Sequence, residues 1–119
     1  MNHNGSPDLA LQLVDAAAKA GADAVKFQTF HAEKVVTAIA PKAAYQISNT
    51  GEGGAQLDLI RKLELTDDTF RKLADHAAAL RIEFMSTPFD LASVRFLARD
   101  LGVRRLKIPS GEITNALLL

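Results

Sequence analysis

Two hydrophobic periodicities alternate along this chain, and their order constrains the fold more than any other feature. The runs "DAVKFQTF", "IEFMST" and "RRLKI" are β-rich, and each follows a segment whose apolar residues recur at helical spacing. Helix, strand, helix, strand, helix, strand implies an α/β fold of parallel βα units. Parallel neighbours cannot be joined by a tight turn, and a helix is the usual crossover. The stretch from Phe84 to Leu106 has the length that one strand, crossover helix and return strand require.

The helices are well punctuated. In "GSPDLALQLVDAAAKAG", Ser6 is placed to cap, Pro7 suits the first helical position, Asp8 favours the positive end of the dipole and Gly21 ends the helix. Leu9, Leu13, Ala16, Ala17 and Ala20 form its expected apolar stripe. A second helix starts from a Thr66 cap and turns Phe70, Leu73, Ala74, Ala77 and Leu80 inward. A third starts from Asp90, with Val94, Leu97, Ala98 and Leu101 inward and Gly102 closing it. "NALLL" reads as a further helix beginning. A long connection from Phe30 to Gln56 contains "SNTGEGG", and long connections in compact domains tend to be functional or mobile.

Three parallel strands with open edges leave backbone groups and apolar faces uncovered. A full eight-fold barrel takes about 250 residues. The expectation is therefore a partial (β/α)8 (TIM) barrel of about half size, one domain over 1–119 that is truncated at both ends. A small complete three-layer domain is the alternative.

Composition excludes several function classes. Lysine plus arginine and aspartate plus glutamate each number 14, so no polyanion is implied as a partner. One tyrosine, no tryptophan and no basic block give nucleic-acid binding little support. The absence of cysteine excludes disulfides, thiolate metal sites and a cysteine nucleophile. The polar opening "MNHNGSPDLA" has no signal core, and no apolar run is long enough to span a bilayer. A cytoplasmic location is the expectation.

Polar residues gather at the strand ends. In "AVKFQT", alternation puts Val25 and Phe27 on one face and Lys26 and Gln28 on the other. Lys107 lies between Leu106 and Ile108 in the same manner. A lysine in a two-sided parallel sheet is costly to bury unless an anion meets it. Singly, each lysine fits a solvated or ion-paired face; at matching places on two strands they shift the balance towards an anion site. Ser86 and Thr87 end the middle strand before Pro88, and Ser110, Gly111 and Glu112 form the turn after the last one. Hydroxyls and free N–H groups there suit phosphate or carboxylate, although a capped turn accounts for either motif alone. His3, His31 and His76 lack metal-ligand spacing, and "NHNG" reads as a ligand loop or a simple turn. No Ser-His-Asp arrangement, Walker loop or dinucleotide fingerprint is visible.

In order and spacing, "NHNGS", "GADAVKFQTF", "STPFD" and "KIPSGEITN" resemble the amino-terminal half of the sialic acid (N-acetylneuraminate) synthase barrel. The resemblance covers essentially the whole chain. It implies an enzyme that condenses phosphoenolpyruvate with an N-acetylated amino sugar such as N-acetylmannosamine, giving a nonulosonic acid and phosphate. A divalent metal, manganese or magnesium, would polarise the sugar aldehyde. By motif, Lys26, Thr87, Lys107 and Ser110 would hold phosphoenolpyruvate. Gln28 and, in the long connection, Asn49 would contact the sugar, and Glu112 would support the site. The family's catalytic glutamate corresponds to a position upstream of Met1 and its metal-binding histidines to positions beyond Leu119. The resemblance therefore implies no catalytic or metal-binding residue in this polypeptide, which alone is expected to be inactive. Full-length members are expected to be homodimers. The alternative is a non-catalytic half-barrel that binds an anionic ligand or docks with a separately encoded remainder.

Overall fold

A computed structural model describes residues 1–35 and 53–119, the side chains of 53–56 excepted. Helix α1 spans Pro7–Lys19, and the Ser6 hydroxyl accepts from the Leu9 N–H at 3.3 Å as its cap. Gly21 follows with φ +79°, the left-handed geometry that glycine supplies without strain. Strand β1 covers Ala24–Thr29 and leads to a helical turn at 32–35. Helix α2 spans Gly53–Leu63, and α3 spans Asp67–Ala79 behind a Thr66 cap. Strand β2 covers Glu83–Pro88. Helix α4, Leu91–Arg95, is capped by Asp90 and continues as a π-helical turn over Phe96–Asp100. A 3-10 turn, Ser110–Glu112, lies near the carboxyl end.

The result is a mixed α/β structure with parallel strands. β1 pairs with β2 from Ala24↔Glu83 to Thr29↔Pro88, so Phe27 lies beside Ser86 and Gln28 beside Thr87. A single parallel bridge, Ser86↔Leu106, adds the last segment on the other side of β2. On one face Phe27 and Phe84 stack with ring centroids 5.7 Å apart, and Phe70 meets Phe84 edge-on at 6.5 Å. Ala10 and Val14 of α1, Leu73 and Ala77 of α3, and Phe96 and Leu97 complete this core. The opposite face carries Lys26, Gln28, Met85 and Thr87.

Several sequence expectations need correction. The buried side of α1 is Ala10 and Val14, whereas Leu9 is exposed. This helix is apolar around much of its girth, so several stripes fit its pattern, and the small Ala10 allows close approach to the sheet. In α3 the expected face holds for Phe70, Leu73 and Ala77, but Leu80 forms the exposed C-cap. In the last helix Leu97 is buried and Leu101 packs against the core as expected, but Ser93 and Phe96 are the other buried positions and Ala98 is exposed. The expected third strand "RRLKI" reduces to one bridge, and "NALLL" forms hydrogen-bonded turns rather than a regular helix. Helix α2 begins inside the segment read as a long connection; Arg61 and Lys62 in its last turn suit its negative end.

The "NHNG" segment is a structural turn. The Ser6 N–H donates to the His3 carbonyl at 2.8 Å, and the Gly5 N–H donates to His3 Nδ1 at 2.9 Å. Gly5 has φ +76°, and a Cβ placed on it would sit 1.7 Å from the Lys62 carbonyl oxygen. Gly5→Ala is therefore expected to lower stability by more than about 2 kcal/mol, combining a left-handed penalty with a backbone clash. Phe70→Ala should remove about 3–5 kcal/mol through the cavity it leaves. Urea titrations check both; a Gly5→Ala midpoint equal to wild type would contradict the close approach.

Candidate anion-binding site

The carboxyl ends of the strands build one cleft of about 270 Å³, lined by Gln28, Thr87, Phe89, Lys107, Pro109, Ser110, Gly111 and Glu112. Its construction follows from the pairing. Register places Gln28 beside Thr87 on the face away from the aromatic core. The Ser86↔Leu106 bridge, with the Lys107 N–H donating to the Ser86 carbonyl at 3.1 Å, turns Leu106 towards the core and Lys107 to the Thr87 side. The 3-10 turn then brings Ser110 and Glu112 to the rim, closed by the Glu112 N–H on the Pro109 carbonyl at 2.9 Å.

Thr87 is the unusual member. It is 2% exposed, and its Oγ1 is buried with no hydrogen-bond partner among the described residues. A nearby hydroxyl pair behaves in the ordinary way: Thr29 Oγ1 and Ser86 Oγ, both buried, are 2.7 Å apart. Buried hydroxyls are nearly always paired, which sets Thr87 apart from the other residues lining the cleft. Lys107 is exposed and makes no ion pair with any described carboxylate.

Five sequence-derived candidates thus meet in one cleft: Gln28, Thr87, Lys107, Ser110 and Glu112. Lys26 lines an adjoining cavity of about 290 Å³ with Asn2, His3 and Leu13, and Gln28 borders both. Asn49 lies outside the described residues. The expectation of lysines within a buried sheet is corrected. Lys26 and Lys107 are both exposed, because the face they occupy lies opposite the packed helices.

A second polar cluster was not legible in the sequence. Asp90 accepts from the His31 N–H at 2.9 Å, the Ser93 N–H at 2.7 Å and the Ser93 hydroxyl at 2.9 Å, and His31 Nδ1 lies 3.2 Å from both its oxygens. Ser93, His31 and Asp90 thus come together in space. The cluster is not built for nucleophilic catalysis: Ser93 is fully buried, and Ser93 and Asp90 both address the same ring nitrogen of His31. Its role is to cap α4 and tie the end of β1 to it. Burial pushes the Asp90 carboxyl upward, but the donors from Ser93 and His31 outweigh it and hold the group below its usual 3.8. The sequence separation of 59 between His31 and Asp90 explains why only the cap itself could be read.

The described residues do not suit a divalent metal. No group of three or more histidine or acidic side chains among them could hold one. His3 Nδ1 accepts from Gly5, His31 Nδ1 faces Asp90, and His76 Nε2 contacts Asp15 at 2.6 Å, in three separate places. Among the described residues no helix is long and apolar enough to cross a membrane.

A family model described as the NeuB family matches residues 13–119. The chain belongs to that family. Its NeuB relatives include the N,N'-diacetyllegionaminic acid synthase of Legionella pneumophila, 52% identical over 97% of this chain and 32% of that protein. The synthase of the same name from Campylobacter jejuni is 48% identical over 97% of this chain and 34% of its own length. Among solved structures, the N-acetylneuraminic acid (sialic acid) synthetase of Leptospira borgpetersenii, in complex with citrate, superposes with a TM-score of 0.77. It is 32% identical, over 98% of this chain and 36% of that one. The chain thus spans about a third of the length of the relatives it matches.

Asp90 offers a direct test of the second cluster. Its folded-state value lies below the unfolded one, so its contribution is present above the unfolded value and lost as pH falls through the folded one. Asp90→Asn should lower stability by about 1–3 kcal/mol at pH 7. The gap should close on acidification, as read by urea midpoints across pH; an unchanged gap at acidic pH would contradict the assignment.

Proposed function

We propose that these residues are the phosphoenolpyruvate-holding part of a sialic acid synthase-type barrel, a partial (β/α)8 unit of about half size. The observation that carries this reading is that one cleft is lined by a Thr87 whose hydroxyl has no partner among the described residues and a Lys107 that pairs with no described carboxylate. Lys26, Thr87, Lys107 and Ser110 bind phosphoenolpyruvate: two cations and two hydroxyls answer a phosphate and a carboxylate. Thr87 Oγ1 donates to a ligand oxygen and gains the partner it lacks. Gln28 and Asn49 contact an N-acetylated amino sugar of the N-acetylmannosamine kind, and Glu112 orders water or a hydroxyl at the rim.

In the reaction, the methylene carbon of phosphoenolpyruvate bonds to the sugar's aldehyde carbon. Water then adds at the former enol carbon, and the C–O bond to phosphate breaks, giving a nonulosonic acid and inorganic phosphate. This chain's residues contribute binding and orientation; the lysines offset charge that stays on the phosphate as it departs. Manganese or magnesium belongs to the full-length reaction, where it would polarise the sugar aldehyde, with ligands from outside the described residues. The greater identity to the two N,N'-diacetyllegionaminic acid synthases than to the sialic acid synthetase favours a diacetylated product. The whole enzyme acts as a cytoplasmic homodimer in carbohydrate biosynthesis, and these 119 residues alone bind without turnover.

The test separates binding from folding. Thr87→Val removes only the unpaired hydroxyl, so stability should hold or rise by up to about 1 kcal/mol while phosphoenolpyruvate affinity falls about tenfold. Lys107→Ala should weaken binding by about tenfold or more. Calorimetric titration with phosphoenolpyruvate reads both, and product assays with manganese and either N-acetylmannosamine or a diacetylated amino sugar acceptor should show no turnover. Unchanged affinity in Thr87→Val would remove the central support for the reading.

A further inference from the structure

Asn115 lies outside the proposed ligand set yet acts on a residue within the cleft. Glu112 and Lys107 line the same walls with opposite charges. A carboxylate free to turn beside an ammonium would compete with any anion for it. The two nevertheless form no ion pair. Glu112 Oε2 instead accepts from Asn115 Nδ2 at 2.7 Å. The amide is itself oriented, because Asn115 Oδ1 accepts from the Leu117 N–H at 3.2 Å. Flipping it would set oxygen against the carboxylate and NH₂ against an N–H, two repulsive contacts. The backbone fixes the spacing: the Asn115 N–H donates to the Glu112 carbonyl at 3.0 Å.

We propose that Asn115 is a positioning residue that holds Glu112 off Lys107, so that the ammonium stays available to the ligand's anionic group. The inference rests on the reading of the cleft as an anion site. Because the groups are solvent-accessible, the competition is worth a few-fold in affinity rather than orders of magnitude.

Phosphoenolpyruvate and inorganic phosphate are titrated calorimetrically into the chain and into its Asn115→Ala, Glu112→Gln and doubly substituted forms. Asn115→Ala should weaken phosphoenolpyruvate binding about three- to fivefold. The double variant should bind as tightly as Glu112→Gln alone, because no carboxylate then remains to be restrained. A merely structural loss in the turn would not be rescued in this way. Wild-type-like affinity in Asn115→Ala, or a double variant as weak as Asn115→Ala, would overturn the inference and leave the anion site standing. A wild-type chain that binds neither probe would remove both together.

Discussion

The parallel register that sets Phe27 beside Ser86 and Gln28 beside Thr87 is the constraint on which the rest of the molecule depends. Side chains alternate along a strand, so a slip of one residue would withdraw Phe27 from the aromatic cluster and turn Lys26 into it. The stack of Phe27 on Phe84 and the buried Thr29–Ser86 hydroxyl pair both oppose that slip. With the register fixed, Thr87 must face away from the core. The Leu106 bridge then sends Lys107 to the same side, and a core requirement on one face thereby assembles the cleft on the other.

The two polar clusters at the carboxyl ends of the strands differ in how far they are satisfied. Asp90 receives donors from His31 and Ser93, and it holds loop and helix together. Thr87 is left unpaired, at a price of about 1–3 kcal/mol for a buried polar group, a deficit that a ligand would remove. Size does not choose the site. A larger cleft of about 470 Å³ lies among Ala74, Arg81, Glu83, Leu101 and Arg104 at the opposite end of β2. A buried Glu83 oxygen there lacks a hydrogen bond among the described residues, but Arg105 stands 3.7 Å from it as a counter-charge within the protein itself.

What could be read in the sequence was what local chemistry decides. The Ser6, Thr66 and Asp90 caps lie where their residue types and following helices indicated, and each accepts from a backbone N–H. Alternation in "AVKFQT" gave the two faces of β1 correctly, and Gln28, Thr87, Lys107, Ser110 and Glu112 do meet. What escaped was set by tertiary geometry. Nothing local separates the Leu9 side of α1 from the Ala10 side, since both are apolar. In the last helix Ser93 turns inward to bond Asp90 and Phe96 to meet Phe70, contacts that helical periodicity does not register. The His31–Asp90 contact joins residues far apart in the chain, and the exposure of both lysines reflects which face the helices cover rather than the strand pattern itself.

The proposed phosphoenolpyruvate site lies at the Thr87 end of the sheet. Amide chemical-shift mapping with phosphoenolpyruvate tests it most directly. Shifts should concentrate at Gln28, Thr87, Lys107, Ser110 and Gly111, with the amides around Arg81, Val103 and Arg104 unmoved. Shifts centred on Arg81 and Arg104 instead, or none at saturating ligand, would contradict it.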